Sequence, residues 1–78
     1  MIEFKHELDA RNESCPLPVL RTKRMLGSMP AGEILHVIAT DPASVEDINI
    51  LLEALHHELI ESRRVGAEYH FYIKKIAK

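Results

Sequence analysis

The chain contains a single cysteine, Cys15, and that count limits its fold more than any other feature. One cysteine closes no internal disulfide and builds no Cys₂ or Cys₄ zinc site. At 78 residues the chain forms one domain, spanning 1–78. A domain of that size buries only about 60% of the surface its unfolded chain exposes. The fold must therefore stand on a small apolar core without a staple, as intracellular domains of this size do. It leaves no room for a deep substrate cavity.

The apolar pattern predicts how that core is built. From Ile2 to Leu8, Ile2, Phe4, His6 and Leu8 alternate with Glu3, Lys5 and Glu7, the period of a half-buried strand. A polar loop follows over Asp9–Ser14. From Pro16 to Met29, Val19, Thr22, Leu26 and Met29 share one helical stripe with Met25 at its margin, while Arg21, Arg24 and Ser28 face away. Pro30 and Gly32 end that helix. Ile34–Ala39 is nearly continuously apolar and reads as a central strand. Asp41 and Pro42 open a second helix, which buries Val45, Ile48, Leu52 and Leu55 and ends near His56. Leu59–Arg64 and Tyr69–Ile76 flank Val65-Gly66-Ala67 as a hairpin. The expected class is α+β in the order β-α-β-α-β-β. Right-handed crossovers put both helices on one face of a four-stranded mixed sheet, a two-layer sandwich. The other sheet face, with Ile34, Ile38 and Tyr72, stays uncovered and offers a surface for a weak dimer; otherwise the chain is a monomer.

The chemistry concentrates at Cys15-Pro16-Leu17-Pro18. The pattern places Cys15 at the N-cap of the first helix, Pro16 at its first position and Pro18 at its third. The positive end of the helix macrodipole favours a thiolate there. Both prolines lack an N–H, so the Leu17 amide is the remaining local donor, and their fixed φ stiffens the turn. Arg11, Arg21 and Lys23 add positive potential from nearby, and Glu13 opposes it. A lone thiol has no resolving partner, which closes an internal dithiol cycle. The five histidines show no pairing that would make a Cys-His hydrolase. What needs only an accessible nucleophilic sulfur is carriage of a group between proteins. The competing reading is a non-catalytic binding or regulatory module in which Cys15 only caps the first helix.

The same residues carry a resemblance. Leu8-Asp9-Ala10-Arg11 and Ser14-Cys15-Pro16-Leu17-Pro18-Val19-Leu20 resemble the signature of TusA-like (SirA-like) sulfur carriers. Pro30-Ala31-Gly32-Glu33, Asp41-Pro42-Ala43-Ser44 with Asp47-Ile48, His57-Glu58-Leu59 and Tyr72-Ile73-Lys74-Lys75 extend the match over almost the whole chain. The resemblance implies a fold like the C-terminal domain of translation initiation factor 3. It implies sulfane sulfur carried as a persulfide on Cys15, with no separate cofactor. It also implies a cysteine desulfurase or rhodanese-type donor and a downstream acceptor protein. In this family acceptors serve 2-thiouridine synthesis in tRNA, sulfur oxidation or molybdenum-cofactor pathways, so the chain would be a sulfurtransferase acting with partners rather than alone. Two positions depart from the family: Asn12-Glu13 stand where many members have Gly-Leu, and His56 where relatives often have glycine. Asn and His both tolerate the positive φ that such glycines supply.

Other features read as structure. His56-His57 lacks metal-ligand spacing, and His36 and His70 fall on strand faces without a chemical role. The basic pairs Arg63-Arg64 and Lys74-Lys75, with Lys78, sit in a chain of net charge −2, so no direct nucleic-acid binding is expected. No run of about 18 apolar residues is present to span a membrane. The N-terminal residues lack the apolar core of a signal peptide, so the expected compartment is the cytoplasm. Leu17 and Leu20 fall off the buried stripe beside Cys15 and, with Arg21 and Arg24, form the expected docking patch.

Overall fold

In the computed structural model, residues 3–76 are described. Four strands and two helices follow in the order β1 (His6–Ala10), α1 (Leu17–Ser28), β2 (Ile34–Ala39), α2 (Ala43–Leu55), β3 (Glu58–Val65) and β4 (Glu68–Lys74). The sheet order is β1-β2-β4-β3. β1 runs parallel to β2, and β4 is antiparallel to both β2 and β3. This is the expected mixed sheet, and the two parallel strands are joined through α1.

Register explains the core. Leu8 pairs with Val37 and Val37 with Phe71, while Leu35 pairs with Ile73 and Ala10 with Ala39. Side chains in register share a sheet face. These residues cluster with Leu26 and Met29 from the α1 side and Ile48 and Leu52 from α2, so both helices cover one face. The α1 stripe is Pro18, Thr22 and Leu26, and the α2 stripe is Ser44, Ile48 and Leu52. Val19, Met25 and Val45 pack at its margin, half-buried. Thr22 is tolerated inside because its hydroxyl donates to the Pro18 carbonyl at 2.7 Å.

β1 is displaced from the expected Ile2–Leu8. Ile2 lies outside the described residues, and the chain bends at Lys5, which breaks the alternation. Phe4 thereby leaves the face shared by His6 and Leu8. Its ring packs on the far face, 4.8 Å from His36 and 6.1 Å from Tyr72. At the other end pairing continues through Asp9 and Ala10, because Ala10 is small enough to sit fully buried against Ala39. The hairpin strands are likewise offset: β4 ends at Lys74, and Gly66-Ala67 alone make the turn. Gly66, at φ 61°, occupies the first central position, as a type II′ turn requires.

Among the described residues no helix covers the far face, yet it is not a bare apolar sheet. Tyr72 stacks on His36 at 4.5 Å, and Ile38 is buried. His36 Nδ1 meets Glu7 at 2.9 Å, His36 Nε2 meets His70 Nδ1 at 2.9 Å, and His70 Nε2 meets Glu68 at 3.0 Å. This polar ladder runs across the face on which the expected weak dimer through Ile34, Ile38 and Tyr72 would form. His36 and His70 thus help to cover the far face of the central strand.

Candidate functional site

Cys15 lies in the turn between β1 and α1, and its side chain is exposed. The helix begins one residue later than expected. Leu20 N–H donates to the Pro16 carbonyl at 3.0 Å, the first helical bond, so Pro16 is the N-cap and Pro18 the second helical residue. The cap carries no side-chain hydrogen bond, and Cys15 stands outside the helix rather than capping it. The Leu17 amide is also spoken for: it donates to the Ser14 carbonyl at 3.0 Å, closing the Ser14–Leu17 turn, and is not a donor to sulfur. The Cys15–Pro16 peptide bond is cis.

What faces the sulfur comes from α2. The Cys15 thiol donates to Asp47 Oδ2 at 2.8 Å, and the Cys15 amide donates to Asp41 Oδ2 at 2.7 Å. The hydrogen bond to Asp47 pushes the thiol above its ordinary range. Desolvation and the negative charges of Asp47 and Asp41 act in the same direction. The expected thiolate is therefore corrected: the hydrogen bond to Asp47 of α2 and the charge of Asp41, just before that helix, favour the protonated thiol. Long-range packing of α2 against α1 sets this, and no spacing near Cys15 announces it. Asp47 enters a sequence reading only as one of the family matches. It could have been found from the i, i+6 placement of two acids at the start of a helix that must pack beside the cysteine turn.

The expected cations point elsewhere. Arg11 binds Asp9 through two side-chain bonds of 2.9 Å each and reaches Glu68 at 3.4 Å. The Arg11 guanidinium holds the Asp9 carboxyl down at about 2, with help from the Arg11 amide. Glu68 is lowered as well, first by His70 and then by Arg11. Arg21 binds Glu13, and it also donates to the Asp9 carbonyl at 3.3 Å. Glu13 is thus neutralised by Arg21 and is not the acid that opposes ionisation of the sulfur. Lys23 lines a separate cleft with Leu55, His57 and Lys75.

An apolar groove adjoins the cysteine turn, walled by Pro16 and Val19 of the α1 side and by Asp47, Ile50, Leu51 and Ala54 of α2. Leu17, Leu20 and Ile50 are 50%, 55% and 58% exposed. The two leucines are as accessible as expected, and Ile50 is an addition the sequence did not single out. Arg21 and Arg24 line a different depression with Leu8, Met25 and Ser28.

The chain and its fold have counterparts. Residues 6–75 match the family model described as Sulfurtransferase TusA. The chain belongs to that family. It is 49% identical over 75 residues to the sulfur carrier protein TusA of Allochromatium vinosum, covering 96% of this chain and 99% of that protein. A SirA-like protein from Desulfitobacterium hafniense, 21% identical, superposes with a TM-score of 0.82 over 94% of this chain and 100% of its own, which shows a shared fold. Both departures from the usual TusA pattern are accommodated as expected. Asn12 has φ 66°, with its amide donating to Thr40 Oγ1 at 2.9 Å. His56 caps α2 in the left-handed region at φ 62°, ψ 35°. Among the described residues, no helix of this TusA-family chain is long and apolar enough to cross a membrane.

Proposed function

We propose that the protein is a sulfur carrier that accepts sulfane sulfur on Cys15 as a persulfide and hands it to an acceptor protein. The observation that supports this reading is an exposed cysteine in the Cys-Pro-Leu-Pro turn of a chain that matches the TusA family from His6 to Lys75. In the loading step Cys15 sulfur attacks the outer sulfur of a donor persulfide, R–S–SH. A new S–S bond forms at Cys15, the donor S–S bond breaks, and its electron pair leaves on the donor sulfur, which takes up the proton Cys15 lost. The products are Cys15–S–SH and R–SH, with no external oxidant. An acceptor thiolate then repeats the exchange, whose rate depends on thiolate fraction and access.

The donor is a cysteine desulfurase or a rhodanese-type protein, and the acceptor is the cysteine of a downstream relay protein such as that of tRNA 2-thiolation. The protein works in the cytoplasm, where thiols stay reduced. Cys15 does not cap α1, because Pro16 occupies the cap and the sulfur bonds Asp47; the alternative of a non-catalytic binding or regulatory module predicts that Cys15→Ser leaves function intact.

The test is intact mass after incubation with a cysteine desulfurase and cysteine. A gain of one sulfur, about 32 Da, is expected on the wild-type chain and absent from Cys15→Ser. No gain with either donor class, or a gain that survives Cys15→Ser, overturns the proposal.

A further inference from the structure

Asp47 belongs to the wall of the apolar groove, is half-buried, and among the described residues forms no ion pair. Its one observed hydrogen bond is the one it accepts from the Cys15 thiol at 2.8 Å. That contact depends on a proton at Sγ, because a carboxylate only accepts. Sulfur loading removes that proton. In Cys15–S–SH the Sγ is bonded to Cβ and to the outer sulfur, about 2.05 Å further out, and has nothing to donate. Two electron-rich atoms would then face each other at the distance of a short hydrogen bond.

We propose that Asp47 is a load-sensing latch: it holds the empty Cys15 as a thiol and releases when Sγ carries sulfur. The inference deepens the sulfur-carrier reading and rests on it for the loaded state. Release changes the groove formed by Pro16, Val19, Ile50, Leu51 and Ala54 at the point where a partner meets the sulfur. Donor and acceptor proteins thereby meet different surfaces, although the chain differs by one sulfur atom. The empty state has a second property. A thiol held by Asp47, with Asp41 adding negative charge, is slow to react with stray electrophiles until a partner's cation neutralises Asp47.

The latch is read in two ways that need no donor protein. The first is the rate of Cys15 alkylation by iodoacetamide against pH, in wild type, Asp47→Asn and Asp47→Ala. Both variants are expected to react about tenfold faster at pH 7, with the profile displaced to lower pH. Amide spectra establish that each variant is folded, and superimposable profiles in folded variants overturn the latch. The second is the Asp47 carboxyl ¹³C resonance before and after methyl methanethiosulfonate converts Cys15 to its S-methylthio form, which puts one neutral sulfur on Sγ. The resonance is expected to move, and an unmoved resonance overturns release. Failure to gain sulfur from any donor sinks the carrier reading and leaves the alkylation result standing; identical alkylation profiles do the reverse.

Discussion

The Cys15 amide and the Asp41 carboxylate tie the two helix starts together: Cys15 N–H donates to Asp41 Oδ2 at 2.7 Å, while Asp41 Oδ1 accepts the Ala43 amide at 3.1 Å. Asp41 stands one residue before the α2 cap, Pro42, and not at the cap itself. One side chain thus begins α2 and fixes the backbone of the cysteine turn.

Asp41→Ala should remove both bonds at once. A lost cap-like bond typically costs about 1 kcal/mol, and stability is expected to fall by about 1–2 kcal/mol in urea denaturation. The amide of Cys15 should also exchange with solvent faster than in wild type. Unchanged exchange at Cys15 would show that Asp41 does not hold the turn.

His56 occupies a left-handed conformation that costs an L-residue roughly 1–2 kcal/mol. Glycine meets that conformation without a Cβ penalty. His56→Gly is therefore expected to stabilise the domain by up to about 1 kcal/mol, read as a higher denaturation midpoint at constant slope. The sulfur-loading yield should not change, because His56 lies at the opposite end of α2 from Asp47.

Phe71 is fully buried at the centre of the sheet, paired with Val37 and Ser62. Truncation of a buried Phe to Ala costs about 3–5 kcal/mol, against a total of about 5–15 kcal/mol for a domain. Phe71→Ala should lose cooperative thermal unfolding or melt far lower. Ile73→Val, at about 0.5–1.5 kcal/mol, should stay folded and melt slightly lower. A wild-type melting temperature for Phe71→Ala would remove the core as described.

Asp9 is lowered from 3.8 to about 2 by the Arg11 hydrogen bonds. A depressed carboxyl contributes stability that is present above its unfolded value and is lost as pH falls through the folded value. The acid limb of the stability curve should therefore drop between about pH 4 and pH 2. Asp9→Asn should flatten that limb without changing stability near neutral pH by more than an exposed ion pair contributes. Equal acid limbs in the two proteins would contradict the pairing.

Much of this protein is decided locally. Ile34–Ala39 has a run of apolar residues that only a covered central strand can bury, and β2 has those bounds. Pro16, Pro42 and Gly66 set turns and helix starts to within a residue, because ring closure and a missing Cβ act on the chain's own dihedrals. The position of the lone sulfur is equally local, since Cys15 is the one cysteine and stands in a proline-stiffened turn. The side of the sheet taken by Phe4 was not local: a bend at Lys5 moved it, and a tilted ring contact with His36 rewarded the move. Nor was the electrostatic state of Cys15. Arg11, Arg21 and Glu13 are its neighbours in sequence, yet Asp9, Glu68 and one another occupy their charges. Asp47 is 32 residues away along the chain and 2.8 Å away in space. Coulombic and hydrogen-bonding interactions fall with distance through space, so the packing of α2 beside the cysteine turn, and no feature of the motif, pushes the lone thiol above its ordinary range.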